Sequence, residues 1–261
     1  KKDERIKSAT FFTTMIDFED AGELGVFIDE EQIASLEKKM DKKGYLEGAH
    51  MASTFNMMRG NDLIWSFVIN NYLMGKEPLL FDLLYWNSDS TRMLAAMHSF
   101  YLRKMYMENK LVEAGGITLD GVALDLRNIK QPCYVISTQD DHIAPWKSTY
   151  AAVNLYQGPV KFVLSASGHI AGIVNPPDAN KYCYWTNAKT PKAPDAWLNA
   201  AKQHPGSWWP DWDKWAKRHA GKKDIPARTP GQGKSGGKSG GKLKALGDAP
   251  GEYVKVRSKS Q

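Results

Sequence analysis

Two side chains of this sequence have the type and surroundings to move a proton between them, Asp141 and His169. Cys133-Tyr134-Val135-Ile136-Ser137 reads as a short buried strand, and Asp141 follows it. Val160-Lys161-Phe162-Val163-Leu164 reads as another, followed by the loop Ser167-Gly168-His169. The C-terminal ends of strands are where α/β sheets gather reactive groups. In a nucleophile–His–Asp arrangement the carboxylate fixes the imidazole tautomer and stabilises its protonated form. The imidazole in turn takes the proton of a Ser or Cys. Small neighbours, Gly168, Ala171 and Gly172, would let the His169 loop approach such a site closely. The plain alternative is a loop carboxylate and a loop histidine that never meet. Asp140 precedes Asp141 and His142 follows it, so spacing alone leaves the acid ambiguous. His142 is read as a supporting, hydrogen-bonding neighbour.

Strand, acid, helix, strand, base is the order at the end of an α/β-hydrolase domain, where the nucleophile comes first. No residue before Asp141 fits that place. The small-flanked serine turn Gly-x-Ser-x-Gly occurs around Ser235 and Ser239, but in a low-complexity stretch with no strand before it. Gly237-Lys238-Ser239 ends like a phosphate-binding loop, yet the leading glycine would fall on Gln232. Cys133 lies inside a predicted strand and Cys183 between tyrosines, both in structural settings. His204 and His219 lie among tryptophans and lysines and read as surface residues, while His50 and His98 are isolated. No spacing of Cys, His or acidic residues matches a metal site, so none is expected.

The elements that must position the pair form an α/β pattern with a helical excursion. Ser8 to Ile16 is β-branched and aromatic, the length of a buried strand. Asp29 with Gln32 resembles a helix-capping pair, followed by Ile33, Leu36 and Met40 at helical spacing. Helices are expected from Asn61 to Met74, closed by Gly75, and from Thr91 to Val112. Pro145 opens a further helix through Trp146, Tyr150 and Val153 to Tyr156, ended by Gly158. Trp185, Trp197, Trp208, Trp209, Trp212 and Trp215 are six of the nine tryptophans and are read first as packing on the sheet. Lys222 to Lys244 has linker composition, and the alternating Tyr253-Val254-Lys255-Val256 suggests an edge strand.

Charge narrows the function classes. The net charge is +6, but ten of the 35 Lys and Arg lie beyond Ala220 against three of the 29 Asp and Glu. The body is therefore close to neutral and does not read as a nucleic-acid binder. No apolar run reaches the roughly 20 residues of a membrane helix. The opening Lys-Lys-Asp-Glu-Arg has no apolar core of a signal peptide. Two cysteines suggest a reducing compartment rather than a disulfide framework.

Several long motifs, in order, carry a resemblance. They are Asn61-Asp62-Leu63-Ile64-Trp65, the run Phe81-Asp82-Leu83-Leu84-Tyr85-Trp86-Asn87-Ser88-Asp89-Ser90-Thr91, and Asp141-His142-Ile143. Gly168-His169-Ile170-Ala171-Gly172-Ile173-Val174-Asn175-Pro176-Pro177 and Gly206-Ser207-Trp208-Trp209-Pro210 complete them. With these the sequence resembles, from about Ser8 to Thr229 and again at its close, the C-terminal part of a class I polyhydroxyalkanoate synthase. The resemblance implies an α/β-hydrolase fold with a mostly helical cap. It also implies an acyltransferase that builds polyester from (R)-3-hydroxyacyl-coenzyme A through a Cys-His-Asp triad. Asp141 and His169 match the family's catalytic pair and His142 its supporting neighbour. Residues 1–17 would be a core strand, 18–130 the cap containing Trp86, 131–220 the rest of the core, and 221–261 a flexible basic tail.

The resemblance further implies a cytoplasmic protein on polyester granules, a homodimer formed through the cap, and no cofactor besides the coenzyme A thioester substrate. The family's cysteine, in a Gly-x-Cys-x-Gly-Gly box, has no counterpart in this sequence. By itself the chain is therefore expected to be inactive. An esterase or depolymerase on the same fold, and a non-catalytic granule- or partner-binding fragment, remain open at this point.

Overall fold

A buried parallel sheet needs strands apolar on both faces, and the strand at Cys133–Thr138 meets that demand, with all six residues buried. The structure, a computed structural model, describes residues 5–58, 60–78, 91–224 and 246–256. Strand β1 is Ala9–Phe12, shorter than the run that predicts it. At Thr13 the backbone φ is 41°, in the left-handed region, so extended geometry stops there. Met15, Ile16 and Phe18 then turn into the core.

Helix α1, Glu30–Lys43, begins as its sequence indicates. The Asp29 carboxylate accepts from Gln32 N at 2.8 Å, and the Gln32 amide reaches back to Asp29 Oδ2 and to Val26 O. Gly44, at φ 80°, closes it. Two short strands follow in sequence but not together, β2 (Tyr45–Leu46) and β3 (Met93–Leu94), paired antiparallel. Between them lie α2 (Gly48–Met58) and π-helical stretches at Asn61–Trp65 and Val68–Leu73, with Gly75 at φ 63° after them. Helix α3 (Ala95–Phe100) runs on as a π-helical stretch, Tyr101–Met107. It is shorter than the predicted Thr91–Val112, because its first residues pair as β3 and its end breaks at Asn109, φ 49°. Arg103 ties this element to α1, with two nitrogens on Glu37 and two on Glu30. Asp120 and Gly121, at φ 48° and 74°, turn the hairpin of β4 (Thr118–Leu119) and β5 (Val122–Ala123).

The remaining elements build the sheet: β6 (Cys133–Thr138), α4 (Trp146–Leu155), β7 (Val160–Ser165), α5 (Ala171–Val174), β8 (Cys183–Thr186), α6 (Pro194–Asn199), β9 (Lys202–Pro205) and α7 (Trp209–His219). Strand order is β1-β6-β7-β8-β9, with β1, β6 and β7 parallel and β8 and β9 antiparallel. Alternation along β6 and β7 gives each face its own core. Cys133, Val135, Phe162 and Leu164 pack with Tyr150 and Trp197; Tyr134, Ile136 and Val163 pack with Trp208 and Trp215. The tryptophan-rich segment is thus a covering layer for both faces, and Trp197 and Trp208 are fully buried. A third cluster, Met15, Phe18 and Ala144 with Tyr101 and Tyr106, fastens the helical excursion beside the end of β6.

The described residues of Lys1–Glu47 and Arg92–Ala220 form one compact unit, which holds the whole five-stranded sheet. Those of Gly48–Thr91 and Gly221–Gln261 form another. One expectation is corrected. Tyr253-Val254-Lys255-Val256 is no edge strand, since Tyr253–Lys255 is a 3-10 turn closed by Lys255 N on Glu252 O. Four alternating residues have no strand character without an edge to pair with. Trp86 and most of the expected linker lie outside the described residues. Among the described residues no helix is long and apolar enough to cross a membrane.

Candidate active site

Past the ends of β6 and β7 the two chains stay joined, Gln139 N donating to Ser165 O at 2.8 Å and Asp140 N to Ser167 O at 3.0 Å. This brings the two following loops together. Asp141 Oδ2 accepts from His169 Nδ1 at 2.8 Å. The same oxygen accepts from the Thr138 hydroxyl at 3.2 Å, and Oδ1 accepts from Ile143 N and Ala144 N, both at 2.9 Å. The carboxylate is thus held by four donors on a side chain that is 0% exposed, while the His169 ring is 27% exposed. Burial pushes the Asp141 carboxyl up. The hydrogen bond from His169 and the N–H groups of Ala144 and Ile143 outweigh it and hold the group below the ordinary carboxylate range.

An ionised carboxylate only accepts, so Nδ1 carries a proton, and in the neutral ring Nε2 is the atom with the lone pair. A ring in that tautomer, oriented and electrostatically backed on one side, can take a proton at Nε2. Of the two adjacent carboxylates, Asp141 meets His169, whereas Asp140 is exposed. His142 lies between Asp141 and the core residue Ala144, half-buried.

The other candidates have separate environments. Cys133 starts β6, at the opposite end from Asp141, with its thiol on Gln131 O and pushed up by burial. Cys183 accepts from the Gln203 amide across β8 and β9. His204 pairs with Thr186 Oγ1 at 2.8 Å and stacks on Tyr184, and His219 packs on Trp215. Burial lowers the His98 pKa within α3, and His50 is exposed. Among the described residues no cluster of His, Cys, Asp or Glu is placed to hold a metal ion.

Over 256 residues, 98% of its length, the chain is 52% identical to the poly(3-hydroxyalkanoate) polymerase subunit PhaC of Rhizobium meliloti (strain 1021). It is 50% identical over 255 residues to the poly(3-hydroxyalkanoate) polymerase of Methylorubrum extorquens. The chain is similar, over almost all its length, to poly(3-hydroxyalkanoate) polymerases. The subunit PhaC of Cupriavidus necator is a more distant relative, 41% identical over 256 residues. The chain spans 40% of the length of the Rhizobium meliloti and Methylorubrum extorquens polymerases and 42% of that of Cupriavidus necator. No protein-family model matches it.

Two features of this site are not marked in the sequence. Thr138 is the last residue of β6, its hydroxyl on Asp141 and its methyl against the place where Gly172 has no Cβ. A strand-ending Thr three residues before a candidate acid is the one signal that would have pointed to it. Thr138→Val keeps the branched shape and leaves the buried carboxylate one donor short. It is expected to cost about 1.5–3 kcal/mol, the range for a hydrogen bond to a charged group, measured by urea unfolding of the chain. A loss below that range would mean the hydroxyl contributes little to holding Asp141. The second feature is the set of side chains that hold the turn after His169, taken up below.

Proposed function

We propose that this chain is the Asp- and His-bearing part of a poly(3-hydroxyalkanoate) polymerase with the α/β-hydrolase fold. The whole enzyme would move (R)-3-hydroxyacyl units from coenzyme A onto a growing polyester. The carrying observation is the Asp141–His169 hydrogen bond at the ends of two parallel strands, in a chain similar throughout to polymerases. In this reading His169 Nε2 takes the proton of a cysteine thiol supplied by polymerase sequence outside this chain. The thiolate attacks the thioester carbonyl, the bond to coenzyme A sulfur breaks, and the imidazolium returns its proton to that leaving sulfur. Asp141 stabilises the imidazolium throughout. For extension, His169 takes the proton of a 3-hydroxyl, which attacks the enzyme-bound thioester. The ester bond forms as the carbon–sulfur bond to cysteine breaks, and the proton goes to the cysteine sulfur.

His142 supports the pair from the adjacent position. The same reading makes the helical excursion a cap through which two copies pair, and puts the enzyme on cytoplasmic polyester granules. It needs no cofactor beyond the coenzyme A thioester itself. The test is coenzyme A release from (R)-3-hydroxybutyryl-coenzyme A, by this chain and by the full-length polymerase that contains it. Release by the full-length protein and none by the chain is expected. Release by neither would remove the polymerase reading, and turnover by the chain alone would mean that it holds a nucleophile of its own.

A further inference from the structure

The turn that carries His169 has a problem of its own making. Helix α5, Ala171–Val174, is a single turn, so nearly all its carbonyls lie in the last four positions, where a helix offers them no partner. Its N-terminal side is closed by its own backbone, Gly172 N on Gly168 O and Val174 N on Ile170 O. Three successive carbonyls beyond that each meet a side-chain donor from another element. Ser165 Oγ donates to Gly172 O at 2.9 Å, Trp208 Nε1 to Ile173 O at 3.1 Å, and Trp209 Nε1 to Val174 O at 3.2 Å.

The two indoles are themselves fixed. Their rings stack with centroids 4.2 Å apart, and Phe12 of β1 lies against both at 5.7 and 6.0 Å. Helix α7, which they open, is tied to the sheet through Asp211, which accepts from Tyr134 Oη at 3.0 Å and Lys161 Nζ at 2.8 Å. Trp212 Nε1 adds a bond to Thr10 Oγ1 at 3.0 Å. The donors are therefore fixed by packing and hydrogen bonds of their own, which is the arrangement that holds a loop in place.

We propose that Ser165, Trp208 and Trp209 form a carbonyl clamp that positions His169 against Asp141 by holding the turn that follows it. Trp208 is the main member, being fully buried where Trp209 is half-exposed. All three are positioning residues, since they act on His169 through the backbone. The inference rests on the proposed role of His169 only for its effect on turnover.

The test removes one indole N–H. Trp208→Phe is the simple variant, and 3-benzothienylalanine at position 208, which replaces the N–H by sulfur in the same bicyclic shape, carries the test if the first unfolds. In the chain, NMR reads the exchange of the His169 Nδ1 proton with solvent. Exchange is expected to quicken about fivefold, the equivalent of ~1 kcal/mol at 1.4 kcal/mol per decade. In the full-length polymerase kcat for coenzyme A release, taken per folded enzyme so that general destabilisation does not count, falls by the same factor with KM unchanged. Trp215→Phe, which shrinks the same core without touching the turn, leaves both readouts alone. Unchanged exchange in a folded sulfur variant overturns the clamp. Because exchange needs no turnover, it decides the clamp whether or not His169 is the base.

Discussion

On the proposed polymerase reading, His169→Ala in the full-length protein is expected to lower coenzyme A release by at least about 10⁴-fold, with little change in KM. The size follows from what single losses cost in nucleophile–His–Asp sites generally. Asp141→Asn is expected to cost nearly as much, for a reason the geometry makes specific. Oδ1 of Asp141 faces the N–H groups of Ile143 and Ala144, so an amide at this position keeps its oxygen there. Its NH2 then faces His169 Nδ1 in place of Oδ2. Two donors cannot meet, and the ring moves its proton to Nε2, the atom that has to accept one. The double variant should be no slower than His169→Ala, because the two act as one unit. Equal losses that multiply in the double variant would mean that the pair is not a unit. Stability moves with pH in the matching direction. A carboxyl held below its ordinary value of 3.8 adds stability that is full above that pH and is lost as pH falls through the lowered folded-state value. Asp141→Asn removes that part of the acid slope.

The core strands were legible because burial on both faces leaves a compact apolar signature, and β6 and β7 fall where Cys133–Ser137 and Val160–Leu164 indicate. The α1 cap was legible for a local reason, since Asp29 and Gln32 lie within one turn. Types and order also pointed to Asp141 and His169, although their meeting depends on the backbone bonds beyond the strand ends, which no local pattern encodes. What stayed hidden was mostly long-range. The pairing of β2 with β3 joins residues separated by an entire helical segment. The π-helical stretches share the apolar spacing of ordinary helix. The hairpin turned by Asp120 and Gly121 had a readable dipeptide, but its strands are two residues each and exposed. Closing alternation at Tyr253–Val256 misled because period two describes a strand only when a partner edge exists.

Gly168 and Gly172, four residues apart around His169-Ile170-Ala171, look interchangeable in sequence, and they are expected to part sharply on substitution. A Cβ at Gly172 would lie 2.4 Å from Ala166 O and 2.5 Å from Thr138 Cγ2, while one at Gly168 would lie 3.8 Å from Asp140 O. The first contacts are with backbone and with a β-branched strand residue, neither of which can swing aside. Gly172→Ala therefore pushes the His169 turn off β6, or pushes Thr138, which also donates to Asp141. Either displacement separates the pair. Alanine's better helix propensity returns about 1 kcal/mol, against an overpacking cost at or above the usual ~1–3 kcal/mol. Misplacing a reacting group by about 1 Å costs on the order of 10²-fold in rate. Gly172→Ala is thus expected to lower both the unfolding midpoint and kcat, while Gly168→Ala, in ordinary van der Waals contact, leaves both within about 0.5 kcal/mol of the parent. Urea unfolding of the chain and coenzyme A release by the full-length polymerase measure the two effects separately. Equal tolerance at both positions would mean that the turn does not press on β6, and the close approach that aligns His169 with Asp141 would have to come from elsewhere.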